Sequence, residues 1–256
     1  MEVEYYRRLA TCALHRVVVE VHAPDDWYLK QGLSAEDLAA ALTGRHLVVA
    51  RRIGKLLLLD TDGGPTLGLR FGMTGRLLVD GSAGVEHLEY SSLREEPSWD
   101  RLRLAFEDGG DLVVCDPRRL GGVFLDPDES RLGVDALSVT AAGLRRLWAG
   151  STAPLKARLM DQARLAGVGN LIADEVLYQA GLDPARPAAS LTPVEVRRLH
   201  THLRRTLDRF LDEGGSHTGI LQPLRSGGGA CPRDNAPLQR RTVGGRTTWS
   251  CPRHQR

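Results

Sequence analysis

The C-terminal end of the 256-residue sequence carries four side chains with the spacing of a metal site. The pattern C-x2-D-x16-C-x2-H places two pairs of donors across a predicted β-hairpin: Cys231, Asp234, Cys251 and His254. Thiolate, carboxylate and imidazole groups all bind Zn²⁺, and four such groups make the tetrahedral shell of a structural site. The spacing predicts one structural zinc ion. The alternative is a metal-free hairpin in which the aspartate and histidine are ordinary polar residues.

Lysine is scarce in this chain, although basic residues are common. Of 34 basic residues, three are lysines: Lys30, Lys55 and Lys156. An amine can lose its proton and act as a nucleophile or a base, whereas an arginine guanidinium remains charged. The lysines are therefore candidates for catalytic chemistry.

The stretch LMDQARLAGVGNLIADEVLYQAGLDP, residues 159–184, has the pattern of a helix, a glycine turn and a second helix. We predict that the first helix ends at Gly167 and that Asn170 opens the second. Free N–H groups at a helix N-terminus bind anions, which makes Asn170 a candidate phosphate contact. Glycine turns between packed helices are also routine, so this motif alone does not identify the ligand.

Charge is unevenly distributed along the chain. Residues 197–256 hold 12 Arg against three Asp and one Glu, a net charge of +8, whereas the whole chain has a net charge of +2. A basic segment on a mildly acidic body is typical of a protein that binds a polyanion. Within this segment, Arg246 follows a Gly-Gly turn, from which an extended side chain could reach a phosphate. Solvated helix faces are the alternative explanation of the charge.

These residues must be positioned by elements of two kinds. β-rich runs separated by DGG, DG and EDGG turns predict antiparallel strands in a sandwich or barrel, and amphipathic segments with capping residues predict helices. One internal helix is predicted in SAEDLAAALTG, with Ser34 as N-cap and Gly44 after its end. The predicted boundaries are a β-rich domain at 1–126, a linker at 127–138, a helical domain at 139–222 and a C-terminal hairpin at 223–256.

Composition excludes some protein classes. With 42% hydrophobic and 26% charged residues, the chain is typical of a soluble globular protein. No stretch approaches the roughly 20 apolar residues of a membrane span, and the charged start MEVEYYRRLA lacks the apolar core of a secretion signal. Cys12 and Cys115 are isolated, so no disulfide framework is predicted. We expect a cytoplasmic protein.

The sequence resembles bacterial DNA glycosylases of the formamidopyrimidine-DNA glycosylase/endonuclease VIII family. The matching stretches occur in the family's order and cover most of the chain: EVEYYRRLA, RRIGKLLLLDTDGG, LGLRFGMTGRL, DPRRLGG, PLKARLMDQARLAGVGNLIADEVLYQAGLDP and GGRTTWSCP. The resemblance implies an α+β fold with an N-terminal β-sandwich and a C-terminal helical domain that carries a helix-two-turn-helix motif and a zinc-finger hairpin. It also implies that damaged double-stranded DNA lies in the cleft between the domains, where a base is flipped out and excised and the strand is nicked.

The resemblance assigns roles to individual residues by motif position. Lys55 would be a catalytic lysine near the flanking phosphate, where it assists elimination. Asn170 and Arg246 would bind the phosphates around the flipped nucleotide, and Lys156 would lie near the lesion pocket. Met73 and Arg118 would fill the gap left in the base stack and contact the orphaned base. Without the resemblance, Met73 is equally well explained as a strand core residue and Arg118 as a surface partner of Asp116.

The start of the chain departs from the family pattern. The family begins with Pro-Glu after removal of Met; the proline amine attacks C1′ and the glutamate handles protons. In this chain, which starts Met1-Glu2, the later glutamate of the family pattern aligns with Glu2. Three explanations remain: a native start a few residues upstream, a relative that binds damage without excision, or an amine supplied by Met1 with Glu2 beside it.

Two smaller departures bear on specificity. Leu120 stands where the family often has phenylalanine, and the segment between GGSH and Cys231 is shorter than in the formamidopyrimidine enzymes. The lesion and the opposite base therefore remain open, with oxidised pyrimidines and ring-opened purines equally compatible. The predicted function is a base-excision-repair glycosylase with AP lyase activity, and we expect a monomer. The alternative is a catalytically silent protein that binds damaged DNA or abasic sites.

Overall fold

The computed structural model describes residues 1–85, 88, 94, 96–225 and 227–256, which form two compact units, Met1–Glu129 and Ser130–Arg256. The helices α1 to α6 are, in order, Glu2–Ala10, Ala35–Leu42, Ala141–Trp148, Leu155–Leu159, Asn170–Ala180 and Pro193–Asp212. The strands β1 to β13 are, in order, Val18–His22, Leu47–Ile53, Leu56–Thr61, Leu67–Arg70, Arg76–Val79, Ser82–Ala83, Asp100–Phe106, Asp111–Cys115, Gly122–Leu125, Val134–Asp135, Leu165–Ala166, Gln239–Val243 and Arg246–Ser250. Among the described helices, none combines the length and apolar character that a bilayer crossing needs.

Two antiparallel sheets build the first unit. One has the strand order β1-β7-β8-β5-β6 and the other β2-β3-β4-β9. Strand residues two positions apart point to the same face, and both sheets send such residues into one shared core: Leu57 and Leu59 from β3, and Leu102 and Leu104 from β7. Two sheets around one core form a β-sandwich, so the predicted fold class is confirmed.

Two helices complete the first unit. The buried residues of α1, Val3, Tyr6 and Ala10, follow the spacing of one helix face and join the sandwich core. The hydroxyl of Tyr6 donates to the carbonyl of Gly75 at 3.0 Å. Helix α2 begins as predicted, because the Ser34 side chain accepts a hydrogen bond from the N–H of Asp37 at 3.0 Å.

Helices dominate the second unit. Helix α5 begins at Asn170 as predicted, and α6 begins at a capping box formed by Thr192 and Glu195. The predicted helix ending at Gly167 is wrong, because α4 ends at Leu159 and β11 pairs in parallel with β10. Gln162 stabilises the irregular backbone between α4 and α5: its amide donates to two carbonyls and its oxygen accepts from the N–H of Gly167.

The chain ends in the predicted hairpin. Strands β12 and β13 pair in antiparallel register, with Val243 opposite Arg246. Gly244 and Gly245 form the turn with φ of +58° and +73°, values that favour glycine at both positions of a tight hairpin. This turn places Arg246 at the first position of β13.

Candidate active site and nucleic-acid interface

The first turn of α1 brings an amine and a carboxylate together. The terminal amine of Met1 lies 3.2 Å from a carboxylate oxygen of Glu2. An amine beside a carboxylate is the pair of groups that nucleophilic attack and proton transfer require.

An ion pair fixes α1 against the β2–β3 hairpin. Arg52, near the end of β2, lies 3.1 Å from Glu4 and also donates to the carbonyl of Gly54 at 2.7 Å. Burial opposes ionisation of Glu4, but hydrogen bonds from Arg7 and Arg52 outweigh it and hold the pKa of that carboxyl below its usual value. Gly54 and Lys55 form the hairpin turn, and Lys55 is exposed. The predicted catalytic lysine is thus accessible on a turn that is tied to the N-terminal helix.

Two loops of the first unit are joined by one buried carboxylate. These paired loops, residues 71–75 and 116–121, meet at Asp116, whose side chain is fully buried. Asp116 accepts a hydrogen bond from the hydroxyl of Thr74 at 2.6 Å and another from the N–H of Gly121 at 2.9 Å. A buried carboxylate that accepts several hydrogen bonds holds the groups around it in a fixed arrangement.

The paired loops present three candidate DNA-contacting side chains. Met73, on the first loop, is 49% exposed, and on the second loop Leu120 is 46% exposed and Arg118 is also exposed. The loops touch closely, since a Cβ on Gly72 would lie only 2.6 Å from the Cβ of Leu120. Exposed apolar side chains that lie together, rather than scattered singly, are typical of an interaction surface. The structure therefore places the predicted Met73 and Arg118 on one surface.

Lys156 lies in a different environment from the one predicted. Its side chain is fully buried in the second unit, where the ammonium contacts Asp174 at 2.7 Å. It also donates to the carbonyl of Thr247 at 2.9 Å and the hydroxyl of Thr248 at 2.8 Å. Burial lowers the pKa of Lys156, and the charge of Asp174 opposes this effect. Because the ammonium is enclosed by these groups, Lys156 is not exposed for direct contact with DNA, and its expected position near the lesion pocket stays a prediction.

The buried lysine connects the hairpin to α5. Asp174, on α5, accepts a hydrogen bond from the N–H of Trp249 at 3.3 Å and lies 3.2 Å from Arg225. The tip of the hairpin packs on α4, because a Cβ on Gly244 would lie 2.8 Å from the Cβ of Ala157. These contacts fix β13, which begins with the exposed Arg246.

The N-terminus of α5 has the features of an anion site. Its N-cap, Gly169, has no side chain to bind the free N–H groups of the first turn. The Oδ1 atom of Asn170 is buried without a hydrogen-bond partner in the described structure, but this oxygen is an acceptor, so the groups that can donate to an anion here are the side-chain amide N–H groups of Asn170 and the free backbone N–H groups. Asn170 and Arg246 therefore belong to two elements that the buried Lys156–Asp174 pair joins, and both can contribute to phosphate binding.

The four predicted metal ligands come together at the base of the hairpin. Their donor atoms all lie within 4.8 Å of one another. The Sγ of Cys231 is 3.3 Å from Nδ1 of His254, and the Sγ of Cys251 is 3.3 Å from Asp234. The Nε2 atom of His254 lies 3.2 Å from the carbonyl of Tyr178, the second contact that metal-bound histidines make. Two thiolates, one carboxylate and one imidazole fit a structural zinc ion.

Sequence reasoning missed Asp174 and considered Asp116 as a surface partner of Arg118, whereas both aspartates are fully buried and organise these surfaces. Asp116 follows the apolar strand run LVVC, and Asp174 lies within the apolar helical run NLIADEVLY. The sequence does contain a signal for them: a carboxylate within an otherwise apolar run predicts a buried aspartate with polar or charged partners, because an unpaired buried charge is strongly unfavourable.

Comparison with known proteins covers both units. Residues 1–123 match the formamidopyrimidine-DNA glycosylase N-terminal domain, and residues 132–221 match the formamidopyrimidine-DNA glycosylase H2TH domain. The formamidopyrimidine-DNA glycosylase of Paracoccus denitrificans is 34% identical, with 84% of this chain and 85% of that protein covered. The Thermus thermophilus enzyme of the same name is 36% identical, with coverages of 83% and 84%.

Solved structures give the same result. The crystal structure of the Thermus thermophilus MutM (Fpg) protein has a TM-score of 0.79 and 33% identity, covering 99% of this chain and 97% of that one. The complex of Lactococcus lactis Fpg with DNA containing FAPY-dG has a TM-score of 0.82 and 26% identity, covering 99% and 98%. A complex of the same Lactococcus protein with abasic-site DNA has a TM-score of 0.81 and 25% identity, covering 99% and 98%.

Proposed function

Because this chain belongs to the formamidopyrimidine-DNA glycosylase family, we propose that it is a base-excision-repair DNA glycosylase with AP lyase activity. Its substrate is double-stranded DNA with an oxidised or ring-opened base. The observation that carries the proposal is that the paired loops, which contact each other at Gly72 and Leu120, expose two apolar side chains, Met73 and Leu120, and the cation Arg118. Such side chains can enter the gap that a flipped base leaves, while the arginine contacts the orphaned base.

The phosphate contacts of this proposal come from both units. Lys55 contributes an exposed ammonium in the first unit, and Asn170 and Arg246 contribute in the second. Phosphate contacts fix the position of the DNA, and they make binding fall steeply with salt. Lys156 takes the role of a positioning residue, because it holds the strand that carries Arg246.

The chemistry proceeds through an amine at the start of α1. The amine attacks C1′, a new N–C1′ bond replaces the glycosidic bond, and the base leaves with a proton from a neighbouring carboxylate. Opening of the sugar ring gives a Schiff base, and removal of a C2′ proton then expels the 3′ phosphate and nicks the strand. Lys55, exposed on the β2–β3 turn, stabilises the charge on the departing phosphate.

We assign one structural zinc ion to Cys231, Asp234, Cys251 and His254. The ion crosslinks the two ends of the hairpin and takes no part in the reaction. Tyr178 of α5 supports the site, since its hydroxyl lies 3.7 Å from the Sγ of Cys231. The zinc site thereby adds a second attachment of the hairpin to α5.

An excision assay tests this function. End-labelled duplexes that each contain one oxidised pyrimidine, one formamidopyrimidine or 8-oxoguanine are incubated with the protein, and released base and nicked strand are measured. We expect both products from at least one lesion duplex and none from the intact duplex. Tight, lesion-selective binding without either product would contradict the proposal.

The second candidate is a protein that binds damaged DNA or abasic sites without excision. The structure of the paired loops favours it: Asp116 holds them together, and neither these loops nor the phosphate contacts need an amine in order to recognise a lesion. The family's Pro-Glu pair is also not found at positions 1 and 2. This candidate predicts the same salt-dependent binding as the enzyme, so binding measurements do not distinguish the two.

A further inference from the structure

A tight turn beside β1 holds a tryptophan out of the protein. Trp27 is 67% exposed, more than any other large apolar side chain in the described structure, whereas Trp148 and Trp249 are buried. Burying an indole is strongly favourable, so an exposed one is informative when its position is fixed. The Trp27 turn, residues 25–29, therefore requires an explanation.

Backbone contacts fix the Trp27 turn. The N–H of Tyr28 donates to the carbonyl of Asp25 at 2.9 Å, and the N–H of Leu29 donates to Asp26 at 3.2 Å. Leu29 forms a bridge with Val123 of β9, and Tyr28 is fully buried. The turn is thus rigid: it exposes the indole of Trp27 and buries the side chains of Tyr28 and Leu29.

Lys30 places a cation on the indole. Its Nζ lies 4.9 Å from the centre of the Trp27 ring, within cation–π range, and it donates to the Trp27 carbonyl. The stem of Lys30 crosses Gly122, where a Cβ would lie 2.7 Å from the Cε of the lysine. The pair therefore has a defined geometry that depends on glycine at position 122.

The Trp27 turn adjoins the second of the paired loops. Asp25 forms an ion pair with Arg119, which lies between the exposed Arg118 and Leu120. The hydroxyl of Tyr28 lies against Gly121, since a Cβ there would be 2.2 Å from it. Trp27 is therefore on the same surface as the residues assigned to the orphaned base.

We propose that Trp27 and Lys30 form an additional DNA-binding element, in which the indole packs on a deoxyribose of the duplex near the position contacted by Arg118. Single-stranded nucleic acids stack their bases on exposed aromatic rings next to cations, and in a duplex the apolar face of the deoxyribose is the surface that such a ring can contact. Asp26, the residue before Trp27, is exposed and would repel a phosphate, so the ring meets a sugar face. This inference rests on the proposed function, because it takes duplex DNA as the partner of this surface.

Binding of a duplex with a tetrahydrofuran abasic-site analogue tests the element. The dissociation constant is measured by fluorescence anisotropy at one fixed salt concentration for the wild type, Trp27→Ala, Trp27→Phe and Val194→Ala. Val194 is an exposed apolar residue of α6 and serves as the matched control. We expect Trp27→Ala to weaken binding about 10-fold, Trp27→Phe to recover most of the loss, and Val194→Ala to have no effect.

A second readout follows the indole itself. Acrylamide quenches exposed tryptophans, and we expect the unlabelled duplex to protect the wild type from quenching but to change little in Trp27→Phe. Asp26→Asn, which removes the nearby negative charge, should tighten binding about twofold. This inference is wrong, and the proposed function stands, if the wild type binds the duplex, acrylamide still quenches Trp27 in the complex and Trp27→Ala binds as tightly as the wild type. If the wild type did not bind the duplex, the proposed function would fall as well.

Discussion

Lys55 and Lys156 both lie in motifs shared with DNA glycosylases, yet they occupy opposite environments. Lys55 is exposed on a hairpin turn of the first unit. Lys156 is fully buried in the second unit, against Asp174 and two threonines of β13. We infer two tasks for a scarce residue type: an accessible ammonium for chemistry on DNA, and a buried one that holds a DNA-binding hairpin in place.

The buried aspartates Asp116 and Asp174 also differ, in the charge of their partners. Asp116 joins the paired loops through neutral donors, Thr74 and Gly121. Asp174 instead pairs with two cations, Lys156 and Arg225. Loss of one partner from a buried ion pair leaves an uncompensated charge, which costs more than loss of a neutral hydrogen bond. The second unit should therefore be the more sensitive of the two to single substitutions at these positions.

Loss of zinc should produce the largest difference in stability between the two units. In Cys231→Ser, we expect zinc content to fall from about one ion per chain to near zero, and the second unit to lose several kcal/mol of stability. Hydrogen-exchange mass spectrometry resolves the units, and the first should be unchanged. The matched control is Cys12→Ser, an exposed cysteine outside the site. Retention of zinc by Cys231→Ser would refute the assignment.

Lys156→Met should have the next largest effect. It leaves Asp174 buried beside a neutral side chain, and we expect the free energy of unfolding of the second unit to fall by about 3–5 kcal/mol in urea titrations. The double variant Lys156→Met with Asp174→Leu removes both charges and should recover part of the loss. A loss below about 1 kcal/mol in the single variant would show that the pair does not hold the unit together.

Asp116→Ala tests the weaker, neutral junction of the first unit. It leaves the hydroxyl of Thr74 and the N–H of Gly121 without their acceptor, at an expected cost of about 1–3 kcal/mol. Binding of abasic-site duplex should weaken too, because Met73 and Leu120 lose their fixed positions. Thr74→Val removes one donor and should cost less than Asp116→Ala. A larger loss of stability in Thr74→Val than in Asp116→Ala would show that Asp116 is not the group that joins the two loops.

Lys55→Ala should have the smallest effect on stability and a large effect on chemistry. We expect the free energy of unfolding to change by less than about 0.5 kcal/mol, since Lys55 is exposed, and strand nicking to slow about 100-fold. Lys55→Arg keeps the charge and should restore part of the rate if the lysine acts as a cation on the phosphate. Full activity in Lys55→Ala would remove the residue from the mechanism.

Features that depend on local sequence were predicted correctly. Ser34 caps α2 and Asn170 begins α5, because caps and helix starts are decided by a few neighbouring residues. The spacing of the cysteine, aspartate and histidine residues was enough to place four donors together, since a tight Gly-Gly turn determines how the hairpin pairs.

Features that depend on distant partners were not predictable. The helix expected to end at Gly167 is interrupted, because β11 pairs with a strand about 30 positions earlier in the chain. Lys156 was expected to contact DNA, but it is buried, and this burial depends on Asp174 and β13, which lie far from it in sequence. The exposure of Trp27 likewise results from packing against β9, which no local pattern records.

Borohydride trapping tests the central claim most directly. The protein is incubated with sodium borohydride and a duplex that contains an abasic site, and any covalent adduct is mapped by peptide mass spectrometry. The proposed mechanism predicts a reduced Schiff base on an amine at the N-terminal end of α1. Tight binding of the same duplex without an adduct would contradict it and would favour a protein that recognises DNA damage without excising it.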